Sequence, residues 1–355
     1  MPKRNVDKKM TISEFSETIG LSTATISSVL NNQHKKRGIS QDTVQLVRSN
    51  ARLFGYRPNM AAKKLRSQSG KLRSFDIAVI TSFEVPMQFT LGLLHAIEKL
   101  SYLEKYRNHS FSTQIVMYHA GRISEMAGML DESRFNGAII TNTMPEDDKF
   151  FMENEVSYPV VFLGRDLPKY NCVTVDVNMA GRMAAEVLLE RCKCVKPVVL
   201  VPNMLTQASG GRLEGFRMEC SRRNIDCRVL EARGFLEENG YRALMEYLET
   251  GKDEIDGLYS VFETLAVGAY HAIKKNGLKI PDDIVVIETG ETSICNFMEP
   301  PMSSFSQSEV NMHEVAVAML FDQLLGNNEK ITNRILPSIP VLRESTNREH
   351  GRINK

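Results

Sequence analysis

From Phe75 onward the chain alternates short apolar runs with longer amphipathic stretches, and this alternation limits the architecture more than any other feature. Asp76–Thr81, Thr113–Tyr118, Gly137–Thr141, Pro159–Leu163, Val198–Val201, Gly257–Val261 and Ile284–Glu288 read as strands. Between them, Leu91–Glu104, Met179–Arg191, Leu213–Arg223, Asn239–Glu249, Thr264–Lys275 and Val310–Leu325 carry apolar residues at helical spacing. Repeated strand–helix units predict parallel sheets with helices on both faces, because a parallel strand is reached only by a crossover. Residues 75–355 are too many for one sheet of usual size, so two similar subdomains are expected.

The preceding segment is different in charge. Residues 1–74 hold 15 Lys and Arg against 4 Asp and Glu, whereas the rest holds 29 against 39. A basic head on an acidic body points to a polyanion bound by the head alone. A merely solvated basic tail would be poor in apolar residues, and this segment is not. Thr11-Ile12-Ser13-Glu14 is a capping box, followed by Ile12, Phe15 and Ile19 at helical spacing. Gly20 breaks that helix, and Ser22 can cap a second one with Ile26, Val29 and Leu30 on one face. Two short helices joined by a Gly-containing turn make a helix-turn-helix. A third helix starts at Ser40, runs through Val44, Val47, Ala51 and Phe54, and stops at Gly55.

The major groove of DNA admits one α-helix, whose N-terminal side chains meet base edges. Here that helix begins Ser22-Thr23-Ala24-Thr25. Thr23, Ala24 and Ser28 are the candidates for base contact; Ser22, Thr25, Ser27 and Asn31 suit phosphates.

Other classes find little support. No apolar run is long enough for a transmembrane helix. Polar Thr11–Glu17 stands where a secretory leader needs an apolar stretch, so a cytoplasmic protein is expected. Six cysteines are scattered without a zinc-ligand spacing and are expected to be free thiols, with Cys192/Cys194 the one conceivable redox pair. Dinucleotide, P-loop, nucleophile-elbow and zincin motifs are missing, and the seven histidines do not cluster in the sequence. No enzyme, cofactor or metal site is expected.

Thr11–Leu30, with Ile39-Ser40-Gln41-Asp42-Thr43 and Gly55-Tyr56-Arg57-Pro58-Asn59, resembles the head of the lactose-repressor (LacI/GalR) family of bacterial transcription regulators. The resemblance implies that Thr11, Tyr56, Asn59, Ala62, Leu65 and Arg66 also meet DNA, with residues 59–66 as a hinge helix. That helix is too short to be stable alone, and in the family its leucine, here Leu65, wedges a minor-groove base step. Ser28 departs from the Arg that many members carry, and His34-Lys35-Lys36-Arg37 is an insertion.

The likeness continues through Val173-Thr174-Val175-Asp176, Arg212-Leu213-Glu214-Gly215-Phe216 and Pro300-Pro301. It implies a periplasmic-binding-protein-like core of two Rossmann-like lobes with a ligand cleft between them. The expected domains are a head over 1–57, a hinge and linker over 58–74, an effector and dimerisation domain over 75–345, and a tail over 346–355. Lobe one is expected over about 75–164 and 292–326, and lobe two over about 165–291 and 327–345. Met87, Phe89, Arg165, Arg212, Phe235, Phe262 and Gly290 are the candidate effector contacts. Arg212 matches a family position that contacts effector, and Phe235 one that stacks on it.

Sugar-binding members carry Asp where this chain has Gly290, Asn-Asp where it has Phe262-Glu263, and, in several, Asp where it has Gly164. A simple hexose bound in the usual manner is therefore not expected, although a carbohydrate derivative stays open as effector. The resemblance implies a transcriptional regulator, most often a repressor, binding a pseudo-palindromic double-stranded operator as a homodimer and modulated by a small molecule. The tail lacks heptads, which disfavours a coiled-coil tetramer. The alternative is a solute-binding receptor of the same core fold without a regulatory role.

Overall fold

The structure is a computed structural model that describes residues 11–30, 34, 37–54, 73–85, 87–130, 134–250, 254–307, 311–327 and 330–348. Three helices open it: α1 (Ile12–Ile19), α2 (Thr23–Leu30) and α3 (Gln41–Leu53). Both halves of the Thr11/Glu14 capping box are made, and Gly20 ends α1 at φ 67°, a left-handed conformation that favours glycine. Phe15, Ile26, Val29, Val44, Val47 and Ala51 form the buried core of the three helices.

The rest folds into two six-stranded sheets. In chain order the elements are β1 (Arg73–Ser82), α4 (Gln88–Ser101), β2 (His109–Tyr118), β3 (Gly137–Thr141), α5 (Pro145–Glu153), β4 (Val160–Leu163), β5 (Asn171–Val175), α6 (Val177–Glu186), β6 (Pro197–Pro202) and α7 (Gln207–Arg222). They continue with β7 (Arg228–Ala232), α8 (Glu237–Glu249), β8 (Gly257–Ser260), α9 (Glu263–Lys275), β9 (Val285–Thr289), α10 (Ile294–Phe297), β10 (Ser303–Gln307), α11 (Met312–Leu325), β11 (Asn333–Leu336) and β12 (Ser338–Val341).

The first sheet runs β11-β5-β4-β3-β1-β2, and every pairing in it is parallel. The second runs β12-β10-β9-β8-β6-β7 and is parallel except for the β10–β12 edge. Each sheet has a separate apolar cluster on either face: α4 and α11 cover one face of the first, α8 and α9 one face of the second, and α6 and α7 its other face. These are the two lobes that the strand–helix alternation predicts.

Strand membership places the crossings differently from the expected lobe boundaries. β5 and β11 belong to the first sheet, and β10 to the second. The chain therefore changes lobe after β5, between β10 and α11, and between β11 and β12, each time within a short connection. No helix among the described residues is long and apolar enough to cross a membrane.

Candidate functional site

In the head, the Ser22 hydroxyl accepts from the Thr25 amide at 3.1 Å and lies 2.8 Å from the Thr25 hydroxyl, so both side chains are engaged in capping α2. Thr11 is engaged likewise on α1. Thr23 and Ala24 are exposed on the first turn of α2, where a groove-entering helix presents its base-reading residues. Ser27 is half-buried.

Ser28 is a correction to the expected set of base contacts. It is buried, and its hydroxyl donates to the Ala24 carbonyl at 2.7 Å. It lies between Ile26 and Val29, which pack into the core of the head. Asn31, Tyr56, Asn59, Ala62, Leu65 and Arg66 lie outside the described residues, as do Lys35 and Lys36 of the insertion.

The second candidate site lies where the strand ends of the two lobes face each other, as ligands of open α/β sheets do. A cleft of about 500 Å³ is lined there by residues of both lobes. Phe89, Arg165, Arg212, Phe262 and Gly290 of the expected set line it.

Met87 and Phe235 are not among the lining residues. Met87 stands just before α4 and is exposed. Phe235 is buried with Val85 and Met144, its ring edge-on to Phe262 at 5.3 Å, so Phe262 takes the cleft side and Phe235 supports it from behind.

Arg165 is buried and already engaged. Its guanidinium donates to the Thr143 hydroxyl at 2.8 Å, to the Gly164 carbonyl at 2.6 Å and to the Thr143 carbonyl, with Asp148 at 3.8 Å. Arg212 is different. It donates one bond, from Nη1 to the Val261 carbonyl at 2.9 Å, and its buried Nε has no partner. Burial pulls its pKa below the ordinary guanidinium value.

The crossing of α6 and α7 fixes Arg212 in place. A β-carbon on Gly181 would stand 2.0 Å from the Arg212 carbonyl oxygen, and one on Gly215 would stand 2.1 Å from that of Asn178. The two backbones touch because both positions are glycine.

One lining residue, His313, was not singled out by the sequence, whereas Glu263 and the 288–291 turn were placed at the cleft by their position after strand ends. His313 packs edge-on to Phe89 at 4.8 Å, its Nε2 has no partner, and burial pushes its pKa down to about 4. Glu263 accepts from the Thr292 hydroxyl at 2.5 Å, and burial raises its pKa. Glu291 is held by Arg343. Glu288 is wholly buried beside them, with Oε2 unpartnered and its pKa pushed by burial up to about 8. His313 lies far from the other contacts in sequence, and only the return of α11 to the first lobe brings it to the cleft.

Residues 192–346 match a family model described as a periplasmic binding protein-like domain. The HTH-type transcriptional repressor PurR of Mannheimia succiniciproducens is 25% identical over 342 residues, covering 94% of this chain and 98% of that protein. The HTH-type transcriptional regulator GalR of Streptococcus thermophilus is 25% identical over 348 residues, covering 95% and 99%. Over nearly its whole length the chain is thus similar to HTH-type transcriptional regulators.

Solved structures carry the same fold. The lac repressor dimer bound to operator and the anti-inducer ONPF superposes with a TM-score of 0.67 at 22% identity, covering 96% of this chain and 99% of that one. A complex of the regulator CelR with cellobiose gives 0.65 at 20%, covering 95% and 100%.

Within this two-lobed architecture the three departures noted in the sequence fall together at the cleft. Gly164, Phe262-Glu263 and Gly290 all line it. Gly164 holds φ 75°, a left-handed backbone that suits glycine. At 290 the missing acid is not simply lost, because the Glu288 carboxylate lies beneath that glycine. The paired cysteines are not activated. Cys192 and Cys194 each donate to a backbone carbonyl, and burial raises both thiol pKa values, that of Cys192 to about 11.

Proposed function

We infer that this protein is a sequence-specific DNA-binding transcriptional regulator, a repressor by its kinship, which binds a pseudo-palindromic operator as a homodimer and responds to a small molecule in the inter-lobe cleft. One observation carries the reading. A helix-turn-helix with exposed Thr23 and Ala24 opens a chain whose remainder is a two-lobed clamshell, and curated regulators match both parts over more than nine-tenths of the length. A solute-binding receptor without a regulatory role has no use for such a head, and the matched relatives are regulators, not enzymes.

In this reading the head, residues 1–57, reads the major groove while residues 58–74 cross to the minor groove with Leu65 as the wedge. The protein works in the cytoplasm, where its DNA is. A two-fold dimer doubles the contact and sets the half-site spacing. Closure of the cleft moves one lobe against the other across the three connections, and the ligand acts to the extent that it binds the open and closed forms unequally.

The test is recovery of fragmented genomic DNA on the purified full-length chain, followed by sequencing. A shared two-fold-symmetric motif among the recovered fragments is expected. Uniform recovery across the genome would contradict the reading.

A further inference from the structure

Of the four Arg and Glu side chains that line the cleft, two are paired and two are not. Arg165 faces Asp148, and both carboxylate oxygens of Glu291 are held by Arg343, at 2.5 and 2.9 Å. Among the described residues neither Arg212 nor Glu263 has an opposite charge within ion-pair reach. Both line the cleft. Arg212 keeps its Nε buried and unpartnered, and Glu263 is engaged through Oε1 alone.

A second carboxyl group stands behind Glu263. Glu288 is fully buried and its Oε2 has no hydrogen-bond partner. That oxygen lies 2.9 Å, and the Glu263 Oε2 3.6 Å, from the point where a β-carbon on Gly290 would stand. The two free carboxylate oxygens thus converge on one wall. The Phe262 ring joins the two charges: it precedes Glu263 in the chain, and the Arg212 Cζ lies 5.9 Å from its centroid.

A partly desolvated charge without a counter-charge is costly. Here two of opposite sign share one cavity. A neutral polyol would offer hydrogen bonds to each and cancel neither charge. One molecule bearing both signs cancels both.

Resting on the reading of the cleft as the effector site, we propose that its ligand is a small zwitterion, whose ammonium group is held by Glu263 with Glu288 behind it and whose oxyanion, a carboxylate or a phosphate, is held by Arg212. The apolar lining, with Val85, Phe89, Leu163 and Phe262, receives the remainder of the molecule. The absence of an acid at 290 fits this ligand. The Glu263 carboxylate, with the Glu288 carboxyl oxygen behind it, is placed for one cationic group instead of a row of hydroxyls.

The experiment is thermal unfolding of the full-length chain with a defined panel. The panel holds the twenty proteinogenic amino acids, γ-aminobutyrate and phosphoethanolamine, the matched amines and matched carboxylic acids, and glucose, galactose, ribose and hypoxanthine. At least one zwitterion is expected to raise Tm by about 2 °C or more, with its matched amine and acid inactive. Phosphoethanolamine against the amino acids tells which oxyanion is taken.

The rise is expected to vanish in Arg212→Met and in the isosteric Glu263→Gln, and to weaken in Glu288→Gln, while each variant alone unfolds cooperatively. A panel in which no zwitterion raises Tm overturns the proposal. A sugar or base whose effect is lost in Arg212→Met but kept in Glu263→Gln also overturns it, and leaves the cleft as the effector site. A zwitterion effect that survives both substitutions puts the binding elsewhere and removes both readings.

Discussion

The unpartnered carboxylate oxygen of Glu288 lies directly under Gly290, 2.9 Å from where a β-carbon on that residue would stand. The β-carbon of Glu263 is equally near that point. Gly290→Ala must therefore displace a buried side chain and the start of α9 together. The expected cost is about 1–3 kcal/mol, read as a lower denaturant midpoint with unchanged slope. Adding Glu288→Ala should recover part of it. A Gly290→Ala chain as stable as the parent would show that this wall is slack.

The same carboxylate should tie stability to pH. Glu288 holds its proton up to about pH 8 in the folded chain, against an ordinary value of 4.5. Between these values the folded state binds the proton and the unfolded state has released it, so stability falls as pH rises. This group's contribution is full below 4.5, changes by at most about 1.4 kcal/mol per pH unit within the window, and is lost above 8. Urea unfolding of Glu288→Gln across pH 5 to 9 should show a shallower decline than the parent, with the variant the more stable at the alkaline end. Parallel curves would refute the buried, protonated state.

On α2 the structure separates two hydroxyl residues that the sequence offered together. Ser28 is turned inward onto the Ala24 carbonyl, whereas Thr23 is exposed. Ser28→Ala should alter operator affinity by less than about twofold. Thr23→Ala should lose about 1 kcal/mol or more, roughly fivefold, if it meets a base edge. Fluorescence anisotropy with a labelled operator duplex distinguishes the two, and the reverse ranking would mean that another face of α2 enters the groove.

Arg212 is placed by the contact of α6 with α7, so the helix crossing and the cleft should fail together. Gly181→Ala sets a methyl group 2.0 Å from the Arg212 carbonyl oxygen, a clash with backbone that no rotamer relieves. A loss above about 3 kcal/mol is expected, outside the usual range for a single methyl group. Gly210→Ala, on α7 two residues before Arg212 and facing open space, is the control and should be near neutral. Equal stability of the two variants would show that the crossing does not depend on glycine.

Much of this architecture was legible because it rests on local rules. The Thr11–Glu14 box, the Gly20 stop and the apolar runs of β1, β3, β4, β6, β8 and β9 announce themselves by spacing. β7 did not, because it is an edge strand with mostly exposed or half-buried residues and no apolar run. β11 and β12 are short and partly exposed for the same reason. The lobe boundaries depend on which sheet β5, β10 and β11 join, and pairing between distant segments leaves no local pattern.

At the cleft, Arg212 and Phe262 could be found from position along the chain. The inward turn of Ser28, the retreat of Phe235 behind Phe262 and the arrival of His313 could not, since each is decided by tertiary packing. Glu288 was read as the end of a strand whose following turn faces the cleft. The burial of its Oε2 without a partner is what gives it chemical meaning.

The most direct measurement compares the affinity of the full-length chain for its recovered operator motif with that for a scrambled duplex of equal length and composition, by anisotropy at near-physiological salt. The account predicts a preference of about 10³-fold or more, with both affinities falling steeply as salt is raised. Equal affinity for the two duplexes would contradict it.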